Sequence, residues 1–195
     1  MTTTLGLRER KKAATRQAVH RAALSLVVEH GFDHVTVEAI ADVANISRRT
    51  FFNYFADKAD AVMYGEEQRF RSLTAAVRAR PAGETGWQAL REGTRELFDA
   101  VGEPDREWVV RSRLSRRHPS LLARRMATMD PLERDLAQAI AERDGDHGLR
   151  PHVLAAAYCG AVRVANLLWL EEDEDRSLKD LTLAAVDELG RPVTV

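Results

Sequence analysis

The side chains of this 195-residue chain whose types and spacing could do chemistry are concentrated in one stretch, Ser47 to Lys58, SRRTFFNYFADK. It carries two arginines, an asparagine, three hydroxyls and an ammonium. Phe51, Phe52, Tyr54 and Phe55 supply aromatics in a chain that is only 6% aromatic. A helix through residues 47–55, turning about 100° per residue, places Ser47, Phe51, Tyr54 and Phe55 on one side and Arg48, Arg49, Phe52 and Asn53 on the other. The first side reads as core. The second suits the edges of bases: arginine can grip guanine O6 and N7 with two donors, asparagine can read adenine or bind a phosphate, and an exposed phenylalanine can touch thymine methyls. Thr36, Ser47, Thr50, Tyr54 and Lys58 could bring hydroxyls and a charge to phosphate oxygens. A helical hairpin whose arginines are merely solvated would explain the same charges, so the surrounding elements have to decide.

Apolar positions recur at three- and four-residue spacing almost throughout, without sustained alternation of β-branched residues. This predicts an all-α fold of about nine helices. Four precede the break at Pro81 and Gly83: about 8–30, stopped by Gly31; a short one after Thr36; another after Ser47; and one over 57–80. Thr36, Ser47 and Asp57 are all N-cap residue types. Five more are expected near 84–101, 104–116, 119–144, 150–171 and 176–189, with Pro104, Pro119, Pro131 and Pro151 read as helix starts. Asp130-Pro131 leaves open whether the third of these is kinked or split. Between Thr36 and Phe55, TVEAIADVANISRRTFFNYF places Ile40, Ala44, Ile46 and Phe51 where two short helices would share a core, with the small Ala41 at their closest approach. Asn45 falls at a turn position that often needs a left-handed backbone, which asparagine tolerates.

The net charge is −1, but it is unevenly spread. Residues 1–21 hold Arg8, Arg10, Lys11, Lys12, Arg16 and Arg21 against Glu9 alone, whereas residues 171–175 read EEDED. The single cysteine, Cys159, excludes an internal disulfide and reads as a packed thiol. No N-terminal apolar stretch reads as a leader or a membrane span, so a cytoplasmic address is expected and a membrane partner is not. GxSxG, HExxH, Walker and dinucleotide patterns do not occur, so no catalytic residue or cofactor is expected. DGDHGLRPH, with Asp144, Asp146, His147 and His152, is better read as a polar loop than as a metal site.

Together, the basic first helix, the spaced caps, the turn and the aromatic run followed by Lys58 resemble the TetR family of bacterial transcriptional regulators over residues 13–73. The family's threonine before the first short helix, serine at the second cap, aromatic run ending in phenylalanine and following lysine are met by Thr36, Ser47, Phe51 to Phe55 and Lys58. The resemblance implies a three-helix DNA-binding domain over 8–56 with a helix-turn-helix at 36–55, a connecting helix over 57–80, and a ligand-binding and dimerisation domain over 84–190. It further implies a homodimer on a palindromic double-stranded DNA operator, more commonly a repressor than an activator, released by a small-molecule effector. Two departures stand out. The family often has glycine where this chain has Asn45 and Arg49, and usually a tyrosine where it has Phe52, so Phe52 should act by apolar contact only.

In the C-terminal half, residues 153–170, VLAAAYCGAVRVANLLWL, are apolar nearly all round a helix and must be covered on both sides. With the helix near 178–189 this one could form a four-helix dimer interface, as the resemblance implies; a wholly internal helix is the simpler reading of the residues alone. Candidate ligand contacts are Trp87, Leu90, Leu97, Phe98, Trp108, Met126, Met129, Tyr158 and Asn166, although plain core packing would account for the apolar ones. Asn166 is the most suggestive, because an amide on an apolar helix needs a partner. VVRSRLSRRHPSLLARR gathers Arg111, Arg113, Arg116, Arg117, Arg124 and Arg125, which could hold an anionic head group, be solvated, or pair with acids such as EEDED. This half is similar to regulators of the mycofactocin-associated type, which implies an acyl-CoA or another apolar anionic effector. The alternative from a different class is a helical-bundle small-molecule-binding or enzymatic protein with no DNA role.

Overall fold

A computed structural model of the chain describes residues 6–171 and 176–191, which contain ten α-helices, one short 3-10 turn and no strand. Most of the EEDED run, residues 172–175, lies outside the described residues. The chain divides into two compact units, residues 1–65 with 110–125, and residues 66–109 with 126–195.

The first unit is built from α1 (Leu7–His30), a 3-10 turn at Phe32–His34, α2 (Val37–Val43), α3 (Arg48–Phe52) and α4 (Lys58–Met63). It also takes residues 110–117 of α7 (Arg106–Arg117) and residues 119–125 of α8 (Pro119–Asp144). Val19, Ala23 and Val27 of α1 meet Ile40, Phe51, Val62 and Leu121 in a core where each is at most 1% exposed. Five residues are too few for α3 to persist alone. Burial of Phe51, at 0% exposure, is worth about 2 kcal/mol and fastens it. Three caps set the helix starts: Ala39 N–H donates to Thr36 Oγ1 at 3.1 Å, Thr50 N–H to Ser47 Oγ at 3.0 Å, and Asp60 N–H to Asp57 Oδ1 at 2.8 Å. Each cap is worth about 1 kcal/mol. Asn45 has φ 53°, the left-handed conformation expected of it at the turn between α2 and α3.

The single helix expected over 57–80 is instead two, α4 and α5 (Glu66–Ala79), parted at Gly65 with φ 90°. That backbone conformation cannot continue a right-handed helix, and glycine adopts it without strain. The total is therefore ten rather than nine.

The second unit contains α5, α6 (Gly86–Val101), α9 (Leu149–Glu171), α10 (Leu178–Leu189) and the remainders of α7 and α8. Thr85 and Gln88 form a reciprocal capping box at the start of α6. The first residue of that helix must be small, because a Cβ on Gly86 would lie 2.6 Å from Ile140 Cγ2. Leu73, Val77, Leu90, Leu136, Ile140, Tyr158 and Val186 form the main core, and Val109, Trp169, Leu178 and Leu181 form a second cluster. Arg91 grips Asp187 through Nε at 2.6 Å and Nη2 at 3.0 Å, and these hydrogen bonds hold the carboxyl below the usual carboxylate range. α8 is neither split nor started at Pro131, which stands exposed inside one continuous helix.

By length and composition α9 could cross a membrane. Here Ala155, Tyr158, Ala161, Ala165 and Trp169 bury one face within the unit, while Val153, Val164 and Leu168 are exposed at 52%, 42% and 41%.

Candidate nucleic-acid interface

α3 divides its aromatics as its helical period requires. Phe51 at 0% and Phe55 at 4% are core, and Phe52, one residue on, is 46% exposed. Arg48, Arg49 and Asn53 share the exposed side, and Asn53 closes the helix with its N–H on Arg49 O at 3.2 Å. Phe52 stands edge-on to Phe51, with ring centroids 5.5 Å apart and planes at 85°. The buried ring thus fixes the attitude of the exposed one.

The two arginines differ in their surroundings. Arg48 Nε lies 3.0 Å from Glu38 Oε1 on α2, and its guanidinium carbon sits 5.6 Å from the centre of the Phe52 ring. The Arg49 side chain makes no hydrogen bond or ion pair among the described residues. Sequence reasoning missed Glu38, since nothing in the spacing of positions 38 and 48 predicts contact across a turn.

The hydroxyls flank this face. Ser47 Oγ and Thr50 Oγ1 are 2.8 Å apart, so one donates to the other and a single hydroxyl hydrogen of the pair is left over. Thr36 is exposed and its oxygen is used by the cap, which leaves its hydrogen to donate. Tyr54 is half-buried against the core. Lys58, expected to bring a charge to phosphate, has internal partners as well. Its Nζ donates to Phe32 O at 2.7 Å and Val35 O at 3.0 Å and lies 4.5 Å from the centre of the Phe32 ring. The physical reason is that the 3-10 turn leaves these carbonyls without helical partners, and an ammonium with three donors satisfies two of them. Lys58 therefore braces α4 against the segment that leads into α2.

A second brace lies deeper in the unit. His20, 2% exposed, donates from Nδ1 to Ala61 O at 2.8 Å, which leaves Nε2 to accept from Arg111 Nη1 at 3.4 Å. α1, α4 and α7 are joined through one imidazole.

The candidate ligand contacts are divided between the two units and, within the second, between two apolar clusters. Arg113 is exposed and belongs, with the whole arginine run from Arg111 to Arg125, to the first unit, whereas the other candidates belong to the second. Arg124 pairs with Asp60. Phe98 and Trp108 pack on one cluster, and Trp108 meets Trp169 edge-on at 5.8 Å. Trp87 packs against the other cluster. Tyr158, 3% exposed, bonds through its hydroxyl to Thr94 Oγ1 at 2.8 Å, and Thr94 in turn donates to Leu90 O at 2.7 Å. That hydroxyl is satisfied inside the core, and burial pushes its pKa up. Met126 is 62% exposed and Met129 half-buried. Asn166 Nδ2 donates to Val162 O at 2.7 Å, but its buried Oδ1 has no partner among the described residues; the same holds for the hydroxyl of Thr182 on α10, a residue sequence reasoning did not single out.

Residues 20–61 match the family described as "Bacterial regulatory proteins, tetR family", and residues 84–194 match "MftR C-terminal domain". The chain is 34% identical over 197 residues to the HTH-type transcriptional regulator TcmR of Streptomyces glaucescens, covering 94% of this chain and 86% of TcmR. It is 29% identical over 187 residues to the transcriptional regulator MftR of Mycobacterium tuberculosis, covering 93% and 92%. Its fold matches the crystal structure of the Thermus thermophilus repressor FadR in complex with lauroyl-CoA, with a TM-score of 0.64 and 22% identity over 92% of this chain and 95% of that one. These relatives are regulators rather than enzymes, which removes the reading of a helical bundle without a DNA role. Both matched segments and the near full-length likeness to TcmR agree, and the chain belongs to the TetR family of DNA-binding transcriptional regulators.

Proposed function

We propose that two copies of the chain form a cytoplasmic repressor that grips an inverted-repeat operator, one α3 in each half-site, and lets go when an apolar, anionic effector such as an acyl-CoA occupies the second unit. The observation that carries the DNA half is the division between neighbouring residues on α3, with Phe51 at 0% exposure and Phe52 at 46% beside Arg48, Arg49 and Asn53. A hairpin with no partner gains nothing from an exposed ring between two arginines, whereas a major groove offers thymine methyls and guanine acceptors to both. Thr36, Ser47, Thr50 and Tyr54 contact phosphates, and exposed Arg8, Arg10, Lys11 and Lys12 on α1 add attraction that does not depend on sequence.

The dimer half is supported by the stripe Val153, Gly160, Val164 and Leu168 on one face of α9, whose Val153, Val164 and Leu168 are exposed and whose Gly160 has room for a side chain among the described residues. The same stripe on a second copy covers it. For the effector, the buried oxygens of Asn166 and Thr182 are polar groups without a partner among the described residues, and Trp87, Phe98, Trp108, Met126 and Met129 are the apolar candidates of the same unit. FadR of Thermus thermophilus holds lauroyl-CoA, which makes that compound the first to try.

A gel-shift assay on inverted repeats from the DNA upstream of the coding region, run over a salt series with and without lauroyl-CoA, tests both halves. The expected result is a shift that weakens steeply with salt and disappears with the acyl-CoA. Absence of a shift on every candidate sinks the operator reading. A shift indifferent to lauroyl-CoA sinks only the effector.

A further inference from the structure

The ion pair between Glu38 and Arg48 is at odds with a surface built for DNA. A carboxylate on α2, beside the exposed face of α3, repels phosphate. What it does geometrically is engage Nε of Arg48 at 3.0 Å. A guanidinium presents two forked edges, and occupation of Nε leaves the outer Nη1/Nη2 edge, the one that can meet guanine O6 and N7 end-on. The other constraint on Arg48 is the Phe52 ring, 5.6 Å from its guanidinium carbon, and Phe52 is itself fixed edge-on by the buried Phe51. The order of support runs from core to surface: Phe51 orients Phe52, and Phe52 and Glu38 together orient Arg48.

We propose that Glu38, Arg48 and Phe52 act as one base-reading unit that selects a guanine beside a thymine, with the outer edge of Arg48 on the guanine and the face of Phe52 against the thymine methyl. Stacked bases rise about 3.4 Å, so a ring and a guanidinium side by side on one helix face reach neighbouring base pairs rather than the same one. Glu38 touches no base in this arrangement; it is a positioning residue. The proposal rests on the reading of α3 as the recognition helix.

The test begins with selection of binding sequences from random DNA by the full chain. It then compares the selected site with versions in which the thymine is replaced by uracil, which lacks only the methyl, or the guanine by adenine. The unaltered protein is expected to lose affinity on uracil, and Phe52→Leu and Phe52→Ala to lose that sensitivity. Glu38→Ala is expected to raise affinity for unrelated DNA, because a negative charge is removed, while its preference for guanine over adenine falls by about fivefold or more. Glu38→Gln, which keeps an oxygen beside Nε without the charge, restores part of the preference. A merely solvated Glu38 would instead raise specific and unrelated affinities together and leave their ratio unchanged. If DNA is enriched but uracil replacement costs nothing, or Glu38→Ala keeps the guanine preference, this proposal is overturned and the recognition helix stands. If no DNA is enriched at all, the recognition-helix reading fails with it.

Discussion

Phe51 and Phe52 are adjacent, alike in chemistry and opposite in role, and the helical period alone separates them. Phe51→Ala empties a site at 0% exposure and is expected to cost about 3–5 kcal/mol in denaturant unfolding. Phe52→Tyr adds a hydroxyl to a ring that is 46% exposed, and its unfolding midpoint should match that of the parent; a large loss would mean the ring is buried after all. Arg49, whose side chain has no intramolecular partner among the described residues, should behave as a contact made only on DNA. Arg49→Ala is expected to weaken specific binding by about 1–3 kcal/mol and relax preference at one position per half-site, whereas a uniform loss across sequences assigns it to phosphate. Cys159 offers a pH test. Burial first, and then the nearby Glu133, push its thiol up to about 12. A raised value means the folded state keeps the proton, so this contribution to stability is complete below the unfolded pKa of about 8.5 and is lost as pH rises toward 12. At pH 8 the native thiol should therefore react with a disulfide reagent far more slowly than in the unfolded chain, and equal rates would contradict the burial.

At the scale of elements, the helix-turn-helix was legible because its determinants are local. Cap residues declare themselves by type, and Asn45 takes φ 53° where the turn needs it. Asn45→Gly should leave stability nearly unchanged, while Asn45→Val, a β-branched residue forced into the left-handed region, should cost at least about 1–2 kcal/mol in thermal or denaturant unfolding. The break at Gly65 escaped sequence reading for the complementary reason. A lone glycine costs a helix only about 1 kcal/mol, so the periodicity on both sides ran through it, and only the packed structure sets its φ at 90°. Pro131 is the reverse case: a strong local signal for a helix start is overridden in the middle of α8, where the proline faces solvent.

For the whole molecule, the uncovered stripe on α9 is the feature with the largest consequence. A Cβ on Gly160 would meet nothing within 4 Å among the described residues, and Val164 is 42% exposed. Gly160→Leu and Val164→Glu should each leave the helical circular dichroism of the chain intact while light scattering reports a monomer instead of a dimer. A dimer that survives both substitutions would remove α9 from the interface. The amino-acid sequence by itself determined most of the helices, the caps at Thr36, Ser47 and Asp57, the left-handed turn and which side of α3 is core, since these follow from backbone preferences and periodicity within a few residues. Tertiary structure alone decided the pairings. Lys58 turns inward to carbonyls 23 and 26 residues earlier, Glu38 reaches Arg48 across the turn, and Tyr158 finds Thr94 at a separation of 64 residues. A polar side chain's role depends on which partner the fold brings within about 3 Å, and composition and spacing carry no record of that distance.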